Sequence, residues 1–214
     1  DELVFGLLRS GFSELCYDGK PFFSDKHPVY VNHDGAGRDG KGSFKAVSNM
    51  MVDGNYEGDA WYLLDTSRAI RPLIFQDRKR PEFVAMTKMD DESVFNEKLF
   101  RYGVDMRCNA GYGFWQMAFA GKTELTSESL KLARAKMRGF KADGGKPLGI
   151  KPKVLVVPTS LEEKARAILE REMTSEVVTV RVGGDDANPI YGEQTVSVSN
   201  DMKGAFTLLV ADYL

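Results

Sequence analysis

The chain has 214 residues, of which 43% are hydrophobic and 28% charged, and carries a formal net charge of −2. That is the profile of an ordinary soluble globular protein, and bulk charge so close to balance predicts no nucleic-acid partner. No apolar run approaches the roughly 20 residues that cross a bilayer, so no membrane partner is expected. A chain of this size can bury about 70% of its unfolded surface, enough for a substantial core.

Residues 2–10 carry apolar side chains at helical spacing and stop at Gly11, which predicts the tail of a helix. The sequence opens at Asp1 rather than Met, as though the chain starts inside that helix, and a processed or truncated product is expected. Residues 32–45 are rich in glycine and charge and nearly free of large apolar groups, which predicts a loop. From 60 to 120 aromatic and β-branched residues dominate, predicting strands at Trp61-Leu64, Leu73-Gln76, Phe83-Met86 and 98–120. In the last of these Tyr102, Val104, Met106, Cys108 and Ala110 alternate with Arg101, Asp105, Arg107 and Asn109, predicting one packed face and one charged face.

After residue 122 helices and strands alternate. Thr126 is a candidate N-cap, Leu125 can pack on Leu130 as a hydrophobic staple, and Leu130, Ala133, Met137 and Phe140 form a buried stripe. A strand over Val154-Val157 ends at Pro158. Ser160 and Glu163 then predict a capping box, opening a helix that buries Leu161, Ala165, Ile168, Leu169 and Met173. Further strands are expected at 177–182, 195–199 and 206–211.

Several short motifs invite chemistry. Gly121-Lys122-Thr123 before a helix resembles the end of a phosphate-binding loop, and a nucleotide-binding enzyme using a degenerate loop at 116–123 is the alternative reading. Against it, Gln116 stands where that motif needs glycine and Met117-Ala118-Phe119-Ala120 follow. Gly35 to Gly40 is a literal G-x-G-x-x-G but lacks the tight strand-to-helix turn that the dinucleotide motif requires. The only histidines, His27 and His33, lie near Asp25 and Asp34 without the geometry of a metal site, and Cys16 and Cys108 lack paired spacing. No catalytic residues, metal or cofactor are therefore expected. A basic stretch between 131 and 153, with only Asp143 as counter-charge, makes Lys131, Arg134, Arg138 and Lys141 candidate contacts for a polyanion or a neighbouring subunit. A DNA-contacting module built on that stretch is a second alternative.

Longer stretches carry a family likeness. AWYLLDTSRAIRPLIFQDRKRPEF at 60–83, FRYGVDMRCNAGYGFWQMAFAGKTEL, LARAKM and GGKPLGIKPKVLVVPTSLEEKAR resemble the major head subunit of Mu-like tailed phages and prophages, as do LVFGLLRSGF, LCYDGKPFF, HPVY and VSNM. The resemblance implies an α+β chain with the HK97-like phage capsid fold. In it residues 1–122 supply the end of a spine helix, the glycine-rich loop and peripheral-type long strands, and 123–214 an axial-type α/β domain. It further implies a structural, non-enzymatic protein that self-associates into pentamers and hexamers of an icosahedral head. The implied partners are scaffold, protease and portal proteins during assembly and packaged DNA without sequence specificity, with the virion as final location and the host cytoplasm as the place of assembly. The family carries a longer N-terminal portion, with an arm, an extended hairpin loop and most of the spine helix, than the text here.

Overall fold

The computed structural model describes residues 2–30, 44–184 and 189–214. In chain order the elements are helix α1 (Glu2–Ser10) and strands β1 (His27–Tyr30), β2 (Phe44–Val47), β3 (Met50–Val52), β4 (Trp61–Leu64) and β5 (Leu73–Met86). Helix α2 (Glu92–Glu97), strands β6 (Arg101–Tyr112) and β7 (Ala118–Lys122), helix α3 (Ser127–Arg138) and strand β8 (Val154–Pro158) follow. Helix α4 (Glu162–Glu170) and strands β9 (Met173–Gly184), β10 (Pro189–Ser199) and β11 (Thr207–Ala211) complete the chain.

A five-stranded sheet in the order β11-β8-β4-β7-β3 forms the centre. Its strands run one way except β4, which is antiparallel to both β7 and β8. All four residues of β4 are buried, the unbroken apolar run of a strand covered on both faces. Helix α3 packs on β7, and α4 packs on β8 and β11. One cluster joins Trp61, Phe119, Leu130, Met137 and Leu155. The expected boundary at 122 lies at the end of β7, so this sheet takes strands from both sides of it.

The α3 start forms as the sequence predicts: Thr126 accepts from the Ser129 amide at 3.1 Å, and Ser129 Oγ accepts from the Thr126 amide at 2.9 Å. Leu125 and the Leu130, Ala133, Met137, Phe140 stripe are buried. The second capping box does not form. A 3₁₀ turn over Thr159–Leu161 moves the start of α4 to Glu162, and Ser160 Oγ donates instead to the Asp59 carboxylate. Leu161, Ala165 and Leu169 are buried, but Met173 is 58% exposed because the helix ends at Glu170 and Met173 already belongs to β9.

Two polar groups join elements that hydrophobic burial alone does not align. Asp65, fully buried after β4, accepts from the Ser67 amide and hydroxyl and from the Lys151 amide at 2.6–2.9 Å, tying β4 to the segment that leads into β8. Burial pushes its carboxyl up, but those three donors outweigh it and hold the group below the usual carboxylate range. The Tyr112 hydroxyl donates to the Leu7 carbonyl at 2.8 Å and lies 2.9 Å from Ser10 Oγ, fixing α1 to the base of β6. Burial pushes that phenol up to about 12.

Candidate interaction surfaces

The Gly121-Lys122-Thr123 stretch is a strand, not a cradle for phosphate. Residues 118–122 are extended in β7, paired with β4 on one side and β3 on the other, so their backbone groups are committed to the sheet rather than free to converge on an anion. The Ala120 amide, for example, donates to the Asn49 carbonyl at 3.0 Å. The glycine has a packing reason. Gly121 lies directly opposite Trp61, whose indole occupies the space a Cβ would take and whose Nε1 donates to the Thr123 carbonyl at 3.0 Å. The nucleotide alternative at 116–123 is thereby corrected; no local feature of the motif announces a tryptophan some 60 residues earlier.

The basic stretch is less bare than its sequence. Lys131 pairs with Asp201 at 2.9 Å, and the Arg134 guanidinium sits 5.7 Å from the centre of the Phe206 ring. Arg138 and Lys141 are exposed, and Lys141 bridges backbone to backbone with Pro147. Asp143, the only counter-charge within the stretch, accepts instead from the Tyr30 amide at 2.9 Å. These four cations do not converge on one point through any shared partner.

His27 is fully buried, and His33 and Asp34 lie outside the described residues, as do the glycines of the G-x-G-x-x-G run. Asp25 stands 3.8 Å from Lys26. Among the described residues no group of three or more His, Cys, Asp or Glu side chains could hold a metal ion, and no helix is long and apolar enough to cross a membrane. Cys16 and Cys108 are free and half-buried. Burial pushes the Cys16 thiol up, away from the reactive thiolate.

What the chain does offer is two long ribbons outside the central sheet. β5 and β6 pair from Leu73 with Tyr112 at the base to Met86 with Arg101 at the tip, and α2 closes the far end. Twelve strand residues at about 3.4 Å each reach roughly 40 Å. The predicted alternation is present. Phe83 lies opposite Val104 and Ala85 opposite Tyr102, and the Phe83 and Tyr102 rings stack at 5.7 Å. The expected packing is not: Phe83, Tyr102 and Val104 are 65%, 63% and 67% exposed, since only the base, at Leu73 and Tyr112, meets the core. On the other face Glu82 lies opposite Asp105, a like-charge pair that Lys79 bridges at 3.0 and 2.7 Å.

β9 and β10 form the second ribbon, also a separate two-stranded sheet. Val178 lies opposite Gln194, and Val180 opposite Gly192, two and four residues from Val196, so these valines share a face. Val178, Val180, Val182 and Val196 are all exposed. The sequence predicts shorter strands here, at 177–182 and 195–199; the pairing extends them, and the polar residues at their ends conceal it.

Comparison with known proteins gives these surfaces a context. The sequence profile described as "Mu-like prophage major head subunit gpT" matches residues 1–214. The chain belongs to the gpT family. Within it the chain is 45% identical over 214 residues to the major capsid protein of Escherichia phage Mu, and 45% identical over 217 to the Mu-like prophage FluMu major head subunit of Haemophilus influenzae. It spans 63% of the length of each of these gpT relatives. Among solved structures it superposes on a chain of the procapsid of bacteriophage JBD30 with a TM-score of 0.74 at 42% identity. The bacteriophage JBD30 capsid gives 0.73 at 23% identity, and both comparisons cover all of this chain and 62–63% of the other. The gpT fold seen here is accordingly the α+β, HK97-like capsid fold.

Proposed function

We propose that the chain is the shell-forming part of a Mu-like major capsid protein, a structural protein without enzymatic activity. It self-associates into pentamers and hexamers of an icosahedral head. One observation carries the reading: the described residues bury a shared core and hold out two ribbons whose apolar faces none of them covers. An isolated two-stranded ribbon is marginal in water, so a second copy is its natural support, and closed symmetry repeats each modest contact over the shell. The solved relatives, chains of a procapsid and of a capsid, support the same reading.

In this reading residues 1–122 supply the peripheral-type part, with α1 as the end of a spine helix and β5–β6 as its long arm. Residues 123–214 supply the axial-type part, with β9–β10 as its projection. Scaffold, protease and portal proteins are its partners during assembly in the bacterial cytoplasm, and DNA packaged without sequence specificity is its partner in the virion. The exposed Arg138 and Lys141 are suited to either a neighbouring subunit or the DNA backbone, while Lys131 and Arg134 are already engaged within the chain.

Electron microscopy of cells expressing the natural gene together with its scaffold tests this. Closed shells or capsomers of regular size are the expected result. Soluble monomers alone, under conditions where the chain is folded, would overturn it.

A further inference from the structure

The far end of the β5–β6 ribbon is an apolar knob. Between the two strands Met89, Phe95, Leu99 and Phe100 are 85%, 77%, 54% and 61% exposed. The knob is held in shape. Ser93 and Val94 of α2 are buried, Asp91 Oδ2 accepts from the Lys88 amide at 2.8 Å, and the Lys98 and Leu99 amides donate back to the Val94 and Ser93 carbonyls at 3.1 and 3.2 Å. Asp90, Asp91 and Glu92 lead into α2 beside it, and from 87 to 100 four carboxylates, these three and Glu97, stand against Lys88 and Lys98.

A groove of matching chemistry lies at the opposite end, where the ribbon joins the core. A hollow of about 700 Å³ is walled by Val29, Tyr30, Phe44, Phe114, Leu148 and Ile150, and a second of about 560 Å³ adjoins it, sharing Val29, Tyr30, Lys141 and Ala142. Aromatic rings form the lip: Tyr30 and Phe44 stand 4.0 Å apart, and Phe114 meets Tyr17 edge-on at 5.9 Å. The available charge is positive. Arg68 and Lys141 line the first hollow and Lys45 and Lys136 the second. Asp18 and Asp143, the carboxylates there, already accept from the Lys20 amide at 3.0 Å and the Tyr30 amide at 2.9 Å.

We propose that the ribbon tip of one copy seats in this groove of a second copy, with Phe95 and its neighbours in the aromatic-lined hollow and Asp90 and Glu92 facing Lys45, Lys136 and Lys141. Two copies are required. The ribbon sets roughly 40 Å between its tip and its base and is paired along its length, so it does not bring its own tip to its own groove. A knob and a socket at opposite ends of one chain make a head-to-tail contact, and such contacts close into rings when the rotation between copies allows. The preformed turn at the tip lowers the ordering cost of docking, and opposite charges set the orientation. This contact rests on the self-association proposed above and adds which surfaces meet.

Carbodiimide joins a carboxylate to a lysine only where the two touch, so wild-type particles, made from the natural gene with its scaffold, test the contact without substitution. Peptide mapping should find Asp90 or Glu92 linked to Lys45, Lys136 or Lys141. Phe95→Ser changes an exposed side chain; it should leave the melting temperature of the free subunit unchanged and lower the yield of these links about tenfold. Particles in which the tip carboxylates link to the tip lysines of another copy or form no such links overturn the contact while the assembly stands. So do particles whose groove lysines link to another segment of their own chain, or a Phe95→Ser yield equal to wild type. No particles at all from the natural gene, with the chain folded, would overturn both readings.

Discussion

Replacing Asn49 by aspartate should lower the unfolding free energy by about 4 kcal/mol at neutral pH, read as a shift of the urea midpoint with unchanged slope. The two side chains have the same shape, so packing is not what changes. Asn49 is fully buried and its amide nitrogen serves three carbonyls, while its oxygen serves the Ser24 amide and His27. An aspartate oxygen at the nitrogen's position puts negative charge against the Phe22, Trp115 and Ala118 carbonyls, with no water to screen it. Its own backbone links the Ser24 carbonyl to the Ala120 amide, so the site joins the 22–24 loop, the start of β3 and β7. A loss of about 4 kcal/mol is a large share of the 5–15 kcal/mol that holds an ordinary domain folded. A cost below about 1 kcal/mol would mean that this hub does not exist in solution.

The second large effect is expected at Gly121. An alanine methyl there overlaps the buried indole of Trp61, and neither a strand in the middle of the sheet nor a fully buried ring yields easily. Gly121→Ala should cost about 3 kcal/mol and lower the melting temperature by roughly 10 °C. Trp61→Phe shortens the ring, so the double variant should be less destabilised than the sum of the singles. Additive costs would place the clash elsewhere. No Mg-ATP binding dependent on Lys122 should be measurable, since β7 leaves no open loop of amides.

These two positions also show where sequence reading works and where it stops. Helix α3 is legible because its signals are local: a threonine cap, a leucine before it and an apolar stripe at 3.6-residue spacing. The strand over 101–112 is legible for the same reason, including which side chains share a face. LIFQDRKRPEFVAM instead reads as two short strands, 73–76 and 83–86, and forms one strand that runs through Pro81 because pairing with 101–112 carries it across. Which face finds a partner is not local information, and the chain leaves the apolar face of 101–112 open beyond its base. Gly121 looks like part of a nucleotide motif until the sheet brings Trp61 across from it. Ser160 reads as a helix cap until Asp59, about 100 residues earlier, takes its hydroxyl. Asn49 gives no signal at all, since an asparagine between two short strands reads as a turn. The family likeness, carried by long stretches rather than by any one motif, leads to the fold more directly than the motifs do.

The proposed assembly requires the ribbon faces to be covered by other copies of the chain. Thiol labelling of Val104→Cys and Val178→Cys, each in a Cys16→Ser, Cys108→Ser background, measures this directly in dissociated subunits and in assembled particles. Prompt labelling of free subunits and protection of both positions in particles is the predicted result. Equal labelling rates in the two states, with particles intact, would contradict it.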